Sequence, residues 1–306
     1  FGDGSLGKAV PHRIKERCAS LGCTSPMKLL HFMVVMSNEL PPSTPGVVLS
    51  ATYLARPMLT FRNFSLRCDQ SNPQISFETP WDWKCAQGKR IAVITNNSFL
   101  RYQLIACMSG LVSPISGEII GNSVISWPVG GEGGLDRKLR ISHAVNFLST
   151  VYSDCLEQSL VSIDEFWEIL AEDDIEPDLV IKDLSRGQKD YFALALSVLF
   201  SFDCYLVSKT RFLMSKPAKL LKELLLKQVE GKTLFTTSIN VQFQREFCTD
   251  GLVLGPSGQI LFSGELLKAL QWADENLAAL DESDTEVDEF EMGVNLRNSE
   301  SAPLGG

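Results

Sequence analysis

Apolar and polar positions fall into a sustained pattern only from Leu59 onward. Leu59-Thr60-Phe61-Arg62-Asn63-Phe64-Ser65-Leu66 alternates between the two, the spacing of a half-buried strand, and Gln74-Ile75-Ser76-Phe77-Glu78 is a second strand candidate. Gly88-Lys89 then turns into Arg90-Ile91-Ala92-Val93-Ile94, an aliphatic run suited to a strand covered on both faces. Residues 101–111 follow with Leu104, Ile105, Met108 and Leu111 at helical spacing. The order strand, loop, helix is the layout of a phosphate-binding unit. From about 140 to 182 the pattern is helical and acidic, clearest in Phe166-Trp167-Glu168-Ile169-Leu170-Ala171. An apolar helix is predicted from Ser185 to Phe200, a strand at Cys204-Tyr205-Leu206-Val207, a helix from Lys219 to Val229 and a strand from Thr233 to Thr237. Gly251 to Leu254 with Gln259 to Phe262 reads as a closing hairpin. Strands alternating with helices predict an α/β sheet.

The two ends of the chain lack this pattern. Residues 1–56 are rich in Pro, Ser and Gly, include the linker-like Pro41-Pro42-Ser43-Thr44-Pro45-Gly46, and are expected to be irregular. The chain starts at Phe1, and Met27 is a candidate true beginning. Residues 57–275 form the patterned domain, and 276–306 form a tail whose acidity from Asp281 to Glu291 predicts a solvated, disordered segment.

Composition narrows the function classes. The 306 residues are 44% hydrophobic and 21% charged, a globular balance, and the net charge of −9 argues against a nucleic-acid binder, whose phosphate-reading surface needs a Lys/Arg excess. The longest apolar run, Phe192 to Val207, contains Asp203 and falls short of the ~18 residues of a membrane span. Eight cysteines are scattered, four of them in apolar runs, which predicts buried thiols in a reducing compartment. With His12, His31 and His143 the only histidines and no Cys-x-x-Cys pair, no metal site is expected. Asp173, Asp174, Glu176 and Asp178 read as a solvated face, Trp127 and Trp167 as packing anchors, and His143 as a surface residue.

Several stretches, in order, carry a family resemblance. They are the Leu59 to Leu66 strand; Ser109-Gly110-Leu111 with Ser113-Pro114-Ile115-Ser116-Gly117-Glu118-Ile119; Ile125-Ser126-Trp127-Pro128-Val129-Gly130; Leu184-Ser185-Arg186-Gly187-Gln188; and Phe202-Asp203-Cys204-Tyr205-Leu206-Val207. Together they resemble the ATP-binding subunit of ABC transporters, and within it the capsular-polysaccharide exporters, over roughly 70% of the chain. The resemblance implies a P-loop NTPase-like ABC nucleotide-binding domain with a helical subdomain and a small antiparallel β subdomain.

It also assigns positions. The phosphate loop becomes Thr95-Asn96-Asn97-Ser98-Phe99-Leu100-Arg101-Tyr102-Gln103, without the glycines whose backbone N–H groups close on phosphates. Arg101 takes the place of the lysine and Tyr102 that of the metal-binding hydroxyl, so the nest is expected to be closed or filled by its own side chains. The Asp that holds Mg²⁺ and the Glu that polarises water correspond to Ser208 and Lys209. The switch histidine corresponds to Ile239, the glutamine-loop position to Asp136 and the aspartate-loop position to Ser215, while the adenine-stacking aromatic falls near Cys68 or Asp69. The signature loop Leu184, Ser185, Arg186, Gly187, Gln188 keeps most of its chemistry, which in the family acts on a partner's ATP. Its structural alternative is an ordinary helix N-cap at Ser185.

The expected function is a degenerate cassette subunit of polysaccharide export that docks or regulates without hydrolysing ATP. The alternatives are an active ABC ATPase that couples hydrolysis to glycan export, and a decaying gene product with no present role. The expected partners are a membrane-spanning exporter subunit and a second, active cassette, with the chain peripheral at the cytoplasmic face of the membrane. ATP and Mg²⁺ are ligands only where residual binding survives.

Overall fold

The computed structural model describes residues 59–72, 74–131 and 135–277. The expectations for residues 1–56, for Met27 and for the acidic segment beyond 277 lie outside them. Two sheets organise the rest. Strand β1 (Leu59–Ser65) runs antiparallel between β2 (Trp81–Cys85) and β4 (Ser116–Ile120), giving the order β2-β1-β4. The second sheet contains β3 (Arg90–Ile94), β5 (Ile125–Pro128), β6 (Cys204–Val207), β7 (Thr233–Thr236), β8 (Asp250–Leu254) and β9 (Ile260–Glu265) in the order β5-β6-β7-β3-β8-β9. Its pairings are parallel except at β8 and β9, the antiparallel hairpin at one edge.

Period-two alternation divides the large sheet's side chains between two cores. Ile91 and Val93 of β3, Cys204 and Leu206 of β6 and Phe235 of β7 join Phe61, Phe64 and Trp81 of the antiparallel sheet. Helix α1 (Ser98–Met108) packs into that same layer through Leu100, Leu104, Ile105 and Met108. Ala92, Tyr205, Val207 and Leu234 face the other way. There they meet α2 (Ile141–Val151), α3 (Ser153–Glu157), α4 (Ile163–Ala171), α5 (Arg186–Leu199), α6 (Lys219–Gln228) and α7 (Val241–Phe247). Trp127 lies at the centre of that layer, 2% exposed and edge-on to Tyr152, Phe200 and Phe202, with its Nε1 donating to Ser197. Trp167 is half-buried against the same core, and α8 (Leu266–Asn276) closes the hairpin edge against β8 and β9.

Several predicted elements are corrected. Gln74 to Glu78 is not a strand: its pairing is an isolated bridge, Ser76 with Arg67, flanked by Cys68 N donating to Ile75 O and Phe77 N to Leu66 O, and the chain just before it is held in side-chain turns. Asp69 Oδ1 accepts from Ser71 N and Asn72 N, and Asn72 Oδ1 from Gln74 N. The strand partner is Trp81–Cys85 instead. Helix α1 spans Ser98–Met108 rather than 101–111, ending where Gly110, at φ 77°, turns the chain out. The cysteines Cys68, Cys85, Cys107, Cys155, Cys204 and Cys248 are buried and form no disulfide, and the described residues contain no cluster suited to a metal ion.

Candidate functional site

The assigned positions sit at the C-terminal edge of the parallel strands, where open α/β sheets place their ligands. Between β3 and α1 only Thr95, Asn96 and Asn97 are non-helical. Asn97 caps the helix, its Oδ1 accepting from Leu100 N at 2.9 Å, while its carbonyl accepts from Arg101 N. Leu100 N, one of the N–H groups that a helix start would offer to an anion, is therefore taken by the Asn97 side chain, and the Arg101 N–H makes the first bond of the helix itself. The Asn97 amide then donates to Cys68 O at 2.7 Å and to Pro256 O at 2.9 Å. Those bonds tie the loop to the segment after β1 and to the turn between β8 and β9. The turn is itself fixed, because Trp81 Nε1 donates to Gly258 O at 2.7 Å. A Cβ on Gly258, at φ 77°, would meet the Phe77 ring at 2.2 Å.

Leu100 is fully buried and Gln103 nearly so. Arg101, 4% exposed, folds back to donate from Nη1 to Thr95 O at 3.0 Å. Asn96, Ser98, Phe99 and Tyr102 are half-buried. Tyr102 shares a crevice of about 20 Å³ with Ser208 and Lys209, beside Ile105 and Ala106. The fold thus brings the phosphate-loop helix and the end of β6 together.

The residues after β6 and β7 form a polar layer. Thr210 and Ser238 share a hydrogen bond at 2.7 Å, Gln244 Nε2 donates to Ser238 O, and Ser215 donates to Phe212 O. Ile239 is half-buried just before α7, whose cap Asn240 accepts from Phe243 N. Asp136 stands apart, exposed in a turn in which its carboxylate accepts from Lys138 N. Asp69, near the position assigned to an adenine-stacking ring, is engaged in its own turn.

At the start of α5, Ser185 and Gln188 form a reciprocal capping box. Ser185 Oγ accepts from Gln188 N at 3.2 Å, and Gln188 Oε1 accepts from Ser185 N at 3.1 Å. Gln188 Nε2 also donates to Asp173 O. Leu184 is buried, whereas Arg186 and Gly187 are exposed, with open space around the Gly187 Cα. A cavity of about 430 Å³ opens between this helix and the chain after β6. Arg186, Lys209 and Ser215 line it, joined by Arg211 and Asp190, which sequence reasoning missed because no motif contains them. His143 is exposed, as are Asp174, Glu176 and Asp178, and Arg140 pairs with Asp178 at 3.1 Å.

A central parallel sheet with an antiparallel sheet on one face and helices on the other defines an ABC ATP-binding domain. The ATP-binding subunit of an ABC transporter matches with a TM-score of 0.52 at 15% identity, covering 78% of this chain and 99% of that one. A bacterial ABC transporter cassette solved as a dimer matches with a TM-score of 0.52 at 16% identity, covering 68% and 99%. In sequence, the chain is 32% identical over 172 residues to the polysialic acid transport ATP-binding protein KpsT of Escherichia coli, covering 54% of this chain and 74% of the relative. It is 27% identical over 173 residues to the capsule polysaccharide export ATP-binding protein CtrD of Neisseria meningitidis, covering 56% and 78%. It is 27% identical over 198 residues to the ATP-binding protein BexA of Haemophilus influenzae, covering 63% and 88%. No protein-family model matches. The chain belongs to the family of ABC ATP-binding proteins of capsule-polysaccharide export. No described helix is long and apolar enough to cross a membrane.

Proposed function

We propose that this chain is a cassette subunit of capsule-type polysaccharide export that docks on or regulates its partners without hydrolysing ATP. The observation that carries the reading is the closed loop after β3, where Asn97 holds the helix start and Arg101 turns back onto Thr95 O. A phosphate cradle needs open backbone N–H groups around the anion and a cation pointing into it. Here Leu100 N is capped by Asn97, and the Arg101 guanidinium donates to its own loop. The side chains present do not fit Mg²⁺-ATP. At the end of β6, Ser208 and Lys209 offer neither the carboxylate that would hold Mg²⁺ nor a base for the attacking water.

What remains is a surface. The names of the relatives, transport and export of polysialic acid and capsule polysaccharide, support export as the setting. The partners we propose are the membrane-spanning exporter subunit, which would hold this chain at the cytoplasmic face of the membrane, and a second, intact cassette. The test measures phosphate release from Mg-ATP by the purified chain, and co-purification when it is coexpressed with those two components. No release above the blank, together with a stable complex, is the expected result. Turnover that disappears in Arg101→Ala would overturn the reading, and so would failure to associate with either partner.

A further inference from the structure

Helix α4 ends in a turn that its own sequence does not favour. Ile175 N donates to Leu170 O at 3.0 Å and Asp174 N to Ala171 O at 3.2 Å, the paired bonds of a Schellman closure, which holds Asp174 at φ 55°. Glycine takes this conformation freely, whereas aspartate takes it at a cost. The turn also carries three carboxylates in succession, Glu172, Asp173 and Asp174, where the helix dipole disfavours negative charge, and the last turn of α4 has no basic residue. The turn is held from α5. Gln188 Nε2 donates to Asp173 O at 3.1 Å and lies 3.5 Å from Asp174 O, while its Oε1 accepts from Ser185 N at 3.1 Å. One side-chain amide thus closes the C-terminus of one helix and the N-terminus of the next. Tyr191, one turn further along α5, faces the same carboxylates: burial, and then the charges of Glu172 and Asp173, raise the pKa of its hydroxyl. Lys189 adds a second tie, donating from Nζ to Lys182 O at 3.0 Å in the turn just before α5.

We infer that Gln188 is a positioning residue: its amide clamps the signature segment to the end of α4, so that Arg186 and Gly187 are presented at a place set by the acidic turn. The cap alone does not call for an amide. A capping box works with Glu as well as Gln at this position, and beside a helix N-terminus the carboxylate has the advantage of charge. Only the bond to Asp173 O requires a donor, and a carboxylate there would face a carbonyl oxygen within a turn of three acidic residues. Arg186 and Gly187 are exposed, so theirs is a face that the docking role proposed for this chain would offer to a second cassette. That step rests on the docking role, whereas the clamp rests on hydrogen bonds within the chain.

The experiment compares Gln188→Glu and Gln188→Met with the parent, in the full chain, by amide hydrogen exchange. In Gln188→Glu the amides of Asp174 and Ile175 are expected to exchange about tenfold faster, through the loss of one hydrogen bond and a carboxylate set against a carbonyl. Gln188→Met loses the donor without adding charge, and its effect at the same two amides is expected to lie between Glu and the parent. A cap without a clamp gives the reverse order, with Glu matching the parent and Met opening only the start of α5, and that result overturns the inference. Unchanged exchange at Asp174 and Ile175 in Gln188→Met overturns it as well. Each variant is then titrated into an intact capsule-export cassette, where Gln188→Glu is expected to associate several-fold more weakly than the parent. An opened turn with unchanged association overturns the positioning role. A parent that fails to associate overturns the docking role instead, and the clamp is then decided by exchange.

Discussion

Replacing Asn97 by Ala removes a side chain that makes three hydrogen bonds from one position. Its Oδ1 caps α1 through Leu100 N, and loss of an Asn cap costs about 1 kcal/mol. Its amide donates to Cys68 O and Pro256 O, and each such bond contributes about 1 kcal/mol net in a half-buried setting. The sum is about 3 kcal/mol, and for a domain of this size that lowers Tm by roughly 6–12 °C. Urea denaturation followed by circular dichroism measures it as a lower midpoint at unchanged slope. Asn97→Ser separates the contributions, because serine keeps the cap but cannot reach the two carbonyls. It should lose about two-thirds as much as Ala. A loss below about 1 kcal/mol for Ala, or a Ser variant indistinguishable from the parent, would refute the idea that Asn97 clasps three segments together.

Two further outcomes follow from the same coordinates. Ser185→Ala breaks the capping box at α5 and should cost about 1 kcal/mol in urea unfolding, where an unchanged midpoint would mean that the loop contributes nothing to its own helix. Burial raises the thiols of Cys85 and Cys248 from 9.0 to about 12, the Asp250 carboxylate adding to the effect in both. Cys68 rises to about 11, through burial and then the charge of Glu78. A folded-state pKa above the unfolded one gives a stabilising contribution that is complete below pH ~9 and is lost as pH climbs through the folded value. The urea midpoint should therefore fall between pH ~9 and ~11, and less steeply when Cys85 and Cys248 are both changed to Ala, whereas equal slopes would count against the thiols as the cause.

The parallel sheet was legible because its strands are short apolar runs, Arg90–Ile94, Cys204–Val207 and Thr233–Thr236, that need no context to be read. β2 was not, since Trp81-Asp82-Trp83-Lys84-Cys85 exposes its charged residues and gains its place from Trp81 reaching Gly258. Resemblance assigned the phosphate loop to a stretch of sequence, but not its conformation. Nine residues from Thr95 to Gln103 were expected to form the loop, and six of them are helical, because Asn97 is a strong N-cap and no glycine holds the chain open. Both readings of Ser185 were visible in advance, and the capping box supplies geometry for the structural one without removing Arg186 from the cavity wall. Asp190 and Arg211 gave no signal, since only the packing of α5 against the chain after β6 brings them to one cavity.

The residues at the end of β6 set the charge of this edge of the sheet. Where the resemblance would place the family's Asp and Glu, the chain has Ser208 and Lys209, and on that assignment the formal charge of the pair goes from −2 to +1. A site built to hold Mg²⁺ depends on that negative charge, and without it a bare cation is repelled while an anion is attracted. Lys209 lines both the crevice with Tyr102 and the cavity with Arg186 and Arg211, so its charge reaches both spaces. At the helix start of α1, Asn97 takes the Leu100 N–H for its own cap.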